Sequence, residues 1–119
     1  MAVATGAAEK GVAQVYETAF RPAEKRHRPW TDRCHAQMRA ALSELDRAAQ
    51  ARSSAWLAGN RLGQADITAT CVYAFLVDAL LVPDAVAAYP GLAALAERCE
   101  ALPEFRLAKG AWSAPAGAG

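Results

Sequence analysis

The stretch Trp56-Leu57-Ala58-Gly59-Asn60-Arg61-Leu62-Gly63-Gln64-Ala65-Asp66-Ile67 passes within a dozen residues from turn chemistry into the most hydrophobic segment of the chain, ATCVYAFLV. An acidic side chain at that threshold has two readings, a catalytic carboxylate or a helix cap. Gly59 and Asn60 supply a turn. If the helix starts at Gly63, Gln64 is its first residue and Asp66 its third, the position from which a carboxylate reaches back to the free backbone N–H of the cap residue. Leu62 and Ile67 then take the spacing of a hydrophobic staple around the cap. A catalytic base needs a titratable or nucleophilic neighbour, and the next residues offer only Thr68, Thr70, Cys71 and Tyr73 on a largely apolar helix. The spacing therefore gives Gly63, Asp66, Leu62 and Ile67 a structural, helix-capping role.

Working outward, the helix that Asp66 opens should run over roughly 64 to 80. Ile67, Ala69, Cys71, Val72, Ala74, Phe75, Leu76 and Val77 leave it little polar face. A helix apolar nearly all round belongs at the centre of a bundle. Upstream, Pro29 suits the first turn of a long helix whose buried stripe reads Cys34, Met38, Ala41, Leu42, Leu45 and Ala49, with Asp32 near its positive end. A first helix, with Thr5 as a candidate cap and Pro22 to kink or end it, places Val12, Val15, Tyr16, Ala19 and Phe20 on one predicted core face. Arg21, Lys25, Arg26 and Arg28 follow it, either as a turn matched to the negative end of the helix dipole or as an anion or interface patch.

Downstream, Val82-Pro83-Asp84 begins the connection to a helix opened by Tyr89-Pro90, with Leu92, Leu95, Ala96, Cys99 and Leu102 on one face. Pro103 stops it, and a short helical turn over 103–108 returns Phe105 to the core. Residues 1–4 read as a tail, and SAPAGAG makes 109–119 a flexible one. The pattern predicts a single all-α domain over 5–108, a bundle of four main helices plus a short C-terminal helical turn.

Composition narrows the partners. Thirteen Lys and Arg against twelve Asp and Glu give a net charge of +1, which offers no field for a phosphate backbone and argues against nucleic acid. Cys34, Cys71 and Cys99 are odd in number and widely spaced, so they read as reduced core thiols rather than a disulfide framework. His27 and His35 are not an i, i+4 pair and no carboxylate cluster joins them, so no metal site is expected. No apolar leader opens the chain, and Asp66 and Asp78 interrupt the longest apolar run. These features predict a soluble cytoplasmic protein that does not engage a membrane.

The pattern WLAGN…GQADI followed by AYPGLAALAERCEALPEFR resembles the C-terminal helical domain of cytosolic glutathione S-transferases. There an aromatic-Leu-x-Gly-Asp turn leads into Ser/Thr-x-x-Asp, and a later Tyr-Pro helix ends in a Pro-x-Phe-type turn. VYETAFRPAEKRHRPW is similar to the first two helices of that domain in bacterial members, so the resemblance spans residues 5 to 108. Asn60 stands where the family usually has Asp, and Gly63 where it usually has Ser or Thr.

The resemblance implies a domain that supplies the hydrophobic-substrate wall and the dimer interface of a transferase. In that family a thioredoxin-like domain binds glutathione and activates its thiol, and these residues hold no counterpart. No catalytic residue is therefore assigned, and the chain alone is expected to bind no cofactor and to lack activity. Glutathione would enter as co-substrate once a thioredoxin-like domain completed the site. Val12 and Tyr16, on the helix that commonly faces the electrophile, and Trp112, near the end of the chain, are substrate-pocket candidates; Tyr16 also fits a half-buried core position. A homodimer or a thioredoxin-like partner is expected. The alternative is a non-enzymatic protein-protein interaction module, the use that similar domains have in translation factors and aminoacyl-tRNA synthetase complexes.

Overall fold

A computed structural model of the protein describes residues 2–52, 54–57, 59–79 and 81–108, apart from the side chain of Ala108. Trp112 and the expected tail 109–119 lie outside the described residues. Among the described residues the elements are helices: α1 (Ala2–Phe20), a 3-10 turn at Ala23–Lys25, α2 (Arg28–Ala51), α3 (Gln64–Asp78), α4 (Ala85–Ala88), α5 (Pro90–Glu100) and α6 (Pro103–Ala108). α1 packs along α2, α3 packs on α5 and α1, and α5 closes against α2. Met38, Leu42, Leu76, Val82, Leu92 and Leu95 meet where these helices converge and are almost wholly withdrawn from solvent.

Two expectations about the first helix are corrected. It begins at Ala2 rather than at a Thr5 cap, and Ala4 is buried within it. Its core face is also the opposite of the one predicted: Ala4, Ala7, Gly11 and Gln14 are buried, whereas Val12, Tyr16 and Phe20 are exposed and Val15 is half-buried. Ala19 alone of the predicted stripe is buried. The physical reason lies in the crossing with α3, where a Cβ on Gly11 would overlap Leu76 Cδ2. Small residues recurring every three or four positions let the helix axes approach, so the bulky side chains are left on the outer face.

α2 buries the predicted Cys34, Met38, Leu42, Leu45 and Ala49. Ala41 is only half-buried, and Asp46 takes an unforeseen place in the core. α3 keeps more outer surface than a central helix should: Ala69, Thr70 and Leu76 are buried, but Cys71 is exposed rather than a core thiol. The fourth predicted helix is present as α5, opened by Tyr89-Pro90, and the connection before it contains the short α4. Phe105 in α6 reaches only a half-buried position.

The cationic turn after α1 is occupied locally. Arg26 donates to the Thr18 carbonyl at 2.6 Å and to the Arg21 carbonyl at 3.0 Å, covering the otherwise unpaired C-terminal carbonyls of α1. Arg21 donates to the Lys25 carbonyl and pairs with Glu17 at 3.6 Å. Glu17, itself buried, accepts the His27 N–H at 3.1 Å and so fixes the start of α2 against the end of α1.

Candidate functional site

The opening stretch folds around one carboxylate. Trp56 and Gly59 form an isolated antiparallel bridge, with the Trp56 N–H donating to the Gly59 carbonyl at 3.1 Å. Gly59 takes a φ of 140°, a conformation that favours glycine. Asp66 is fully buried. Its Oδ2 accepts the Gly63 N–H at 2.8 Å and its Oδ1 the Leu57 N–H at 2.9 Å. One oxygen thus caps α3 while the other holds the incoming loop, so each oxygen has a backbone partner. Gly63 contributes no side chain, so the return bond runs from the Asp66 N–H to the Gly63 carbonyl at 3.1 Å. Leu62 is exposed and Ile67 is half-buried beside Thr70, Cys71, Ala74 and Phe105.

The buried carboxylate of Asp46 was missed by sequence reasoning. Asp46 Oδ1 accepts the Leu92 N–H at 2.9 Å, at the third residue of α5, and its Oδ2 accepts from Gln50 at 2.6 Å. α2 therefore caps α5 across the core. The approach is close enough that a Cβ on Gly91 would collide with Gln50 and lie 3.1 Å from the Asp46 carbonyl oxygen. An acidic residue inside a predicted apolar stripe was the available signal.

Solvent-facing chemistry concentrates elsewhere, on the outer face of α1 and the elbow that follows it. Val12, Tyr16 and Phe20 stand one turn apart and form a ridge; Tyr16 and Phe20 are 57% and 58% exposed, which overturns the half-buried reading of Tyr16. Their rings meet edge to face, centroids 5.3 Å apart at 72°. Separately, a cleft of about 380 Å³ opens at the elbow, lined in part by Gln14, Glu17, Thr18, Arg26, Arg28 and Thr31 and by none of the ridge residues. Val12 and Tyr16 are thus brought together on one surface.

Two groups are shifted by burial. Burial pushes the Cys99 thiol up from its ordinary value, away from the reactive thiolate. Tyr73 is raised as well, by burial and then by Glu100. Among the described residues no three of His, Cys, Asp and Glu come together as a metal cluster. No helix among the described residues is long and apolar enough to cross a membrane.

The solved structure of a glutathione S-transferase from Methylobacterium radiotolerans, in complex with glutathione sulfonate, is similar to the chain with a TM-score of 0.79 and 28% identity. The likeness covers 97% of this chain and 50% of that one, so the chain spans about half the length of the protein it matches. No curated protein matches. The sequence profile of the glutathione S-transferase C-terminal domain fits residues 11–103, most of the chain, and the protein therefore belongs to the glutathione S-transferase C-terminal domain family.

Proposed function

We propose that the protein is the helical half of a glutathione transferase-like assembly, giving it an apolar wall for the electrophile and a surface for subunit or domain association. The observation that carries this reading is the exposed ridge Val12–Tyr16–Phe20, on a chain half the length of a transferase whose solved structure holds glutathione sulfonate. A transferase must place a soft electrophile against a glutathione thiolate, and a ridge of exposed aromatic and branched side chains supplies dispersion contacts to the former. Thiolate activation calls for a donor poised at the glutathione sulfur, a task that falls to a thioredoxin-like domain, with glutathione as co-substrate. In this reading the three unbridged cysteines fit a reducing, cytoplasmic setting.

The test is reconstitution. Glutathione titrated into the chain alone should give no saturable heat and no conjugation of a generic aromatic electrophile above the uncatalysed rate. Addition of the thioredoxin-like half of the matching transferase should produce saturable glutathione binding. Conjugation by the chain alone, or a complete lack of association with any thioredoxin-like domain and with itself, would overturn the reading.

A further inference from the structure

Gln14 and Arg39 contact the His35 ring from opposite sides. The side-chain nitrogen of Gln14 donates to the Lys10 carbonyl at 3.0 Å and faces Met38 Sδ at 3.5 Å. A carbonyl only accepts, so the amide orientation is forced and Gln14 Oε1 is the atom 3.0 Å from His35 Nδ1. Nδ1 must then carry a hydrogen. At the far edge of the ring, Arg39 Nε stands 3.4 Å from His35 Nε2. A guanidinium only donates, so Nε2 must present a lone pair. One species meets both demands: the neutral imidazole protonated at Nδ1.

Arg39 carries the connection onward. Its fork embraces the Asp84 carboxylate in the turn before α4, and its Nη1 donates to the Tyr89 hydroxyl at 3.4 Å. The Tyr89 hydroxyl in turn donates to the Arg39 carbonyl at 3.3 Å, and the guanidinium carbon lies 5.8 Å from the Tyr89 ring centroid. The chain of contacts thus runs from α1 through α2 to the α4 corner. The groups set around His35 are the neutral amide of Gln14 from α1, the cation of Arg39 from α2 and the anion of Asp84 from the α4 turn, with Tyr89 behind Arg39.

We propose that His35 is a proton-operated link in this chain: neutral, it joins Gln14 to Arg39, and a second proton on Nε2 expels Arg39 and loosens the α4 corner. The step is a simple protonation, with the proton taken from solvent onto the Nε2 lone pair. The Arg39 Nε–H loses its acceptor and faces an N–H and a like charge instead. The Nδ1–H bond to Gln14 survives, so the seam between α1 and α2 stays closed while the tie to α4 is released. Histidine is the side chain whose charge changes within the physiological range, which suits it to such a link.

Imidazole nitrogen–proton correlation spectra of the full chain test the proposal, with exposed His27 as an internal reference. His35 should be found in its Nδ1–H form at high pH. On acidification the Arg39 Nε–H resonance should shift, and the amides of Ala85 and Ala88, which donate to the Val82 and Asp84 carbonyls, should lose exchange protection beyond the intrinsic pH effect. Both changes should share the titration midpoint of His35 and vanish in His35→Gln. A dominant Nε2–H tautomer overturns the proposal from the wild type alone, whatever the variant does. So do α4 amides that follow a carboxylate midpoint or do not respond at all.

Discussion

Replacement of Asp66 by alanine removes two hydrogen bonds that a single buried carboxylate makes to backbone donors, at 2.8 Å from Gly63 and 2.9 Å from Leu57. Hydrogen bonds to a charged group contribute about 1.5–3 kcal/mol each, and a buried donor left unpaired costs about 1–3 kcal/mol. Both N–H groups are only partly buried, so water recovers part of the loss, and a destabilisation of about 3 kcal/mol is expected for Asp66→Ala. That exceeds the roughly 0.5–2 kcal/mol of an ordinary cap, because the second oxygen secures a loop as well as a helix end. Asp66→Asn separates hydrogen bonding from packing: it keeps the shape, but its NH2 must face one of the two donors, so it should lose nearly as much.

Urea unfolding followed by circular dichroism measures the effect, with the denaturant slope checked for constancy. A loss of about 3 kcal/mol leaves a domain of ordinary stability folded, so the variants should remain measurable. Gly63→Ser is the companion measurement. Gly63 has φ −119° and ψ 172°, open to any residue, and a Cβ there would meet only Asp66 Oδ2, at an ordinary 3.6 Å. Its hydroxyl would add a side-chain acceptor at the cap and stabilise by about 0.3 kcal/mol. A loss below about 1 kcal/mol for Asp66→Ala would refute the two-bond reasoning.

Three further outcomes follow from the same geometry. Asp46→Ala should destabilise by about 2–4 kcal/mol by leaving the Leu92 N–H unpaired in the core, and hydrogen exchange should show the loss of protection concentrated at the start of α5. Tyr16→Ser combined with Phe20→Ser should change unfolding free energy by less than about 0.5 kcal/mol, since both rings are exposed, while weakening self-association or domain association in sedimentation experiments. The Asp84 carboxyl is held below its ordinary value chiefly by its bond to Arg39, so the pair stabilises the fold above the usual carboxylate range and the contribution fades as pH falls through the folded value. In Arg39→Met the Asp84 carboxyl carbon should therefore titrate at higher pH; an unchanged midpoint would show that the pair does not hold the charge.

The helix order, the start of α3 at Gln64 and the Tyr89-Pro90 opening of α5 were legible in the sequence because each is written in local chemistry: a carboxylate at the third helical position, a proline at the first. The face of α1 was not. Hydrophobic periodicity ranks Val12, Tyr16 and Phe20 above Ala4, Ala7 and Gly11, yet the position that must lie innermost is the one where Leu76 of α3 leaves no room for a Cβ. Which helix crosses α1, and how closely, is set by the tertiary arrangement, and no window on α1 alone contains it. Asp46 and Gln14 escaped notice for a related reason, since their partners, Leu92 and His35, are 46 and 21 residues away.

The same inversion bears on the proposed function. A helix that seats itself through alanine and glycine needs no large side chain for its own stability, so the bulky residues on its outer face are free to serve contacts outside the bundle. Their exposure is then a consequence of how α1 is anchored rather than a defect of packing. The anchoring is also redundant: Glu17 and Arg26 fix the C-terminal end of α1, Gln14 holds its middle to α2, and Gly11 seats it on α3. Fixed at these points, Val12, Tyr16 and Phe20 present a preformed surface, and a ligand or partner meeting it has little conformational entropy left to remove from this side.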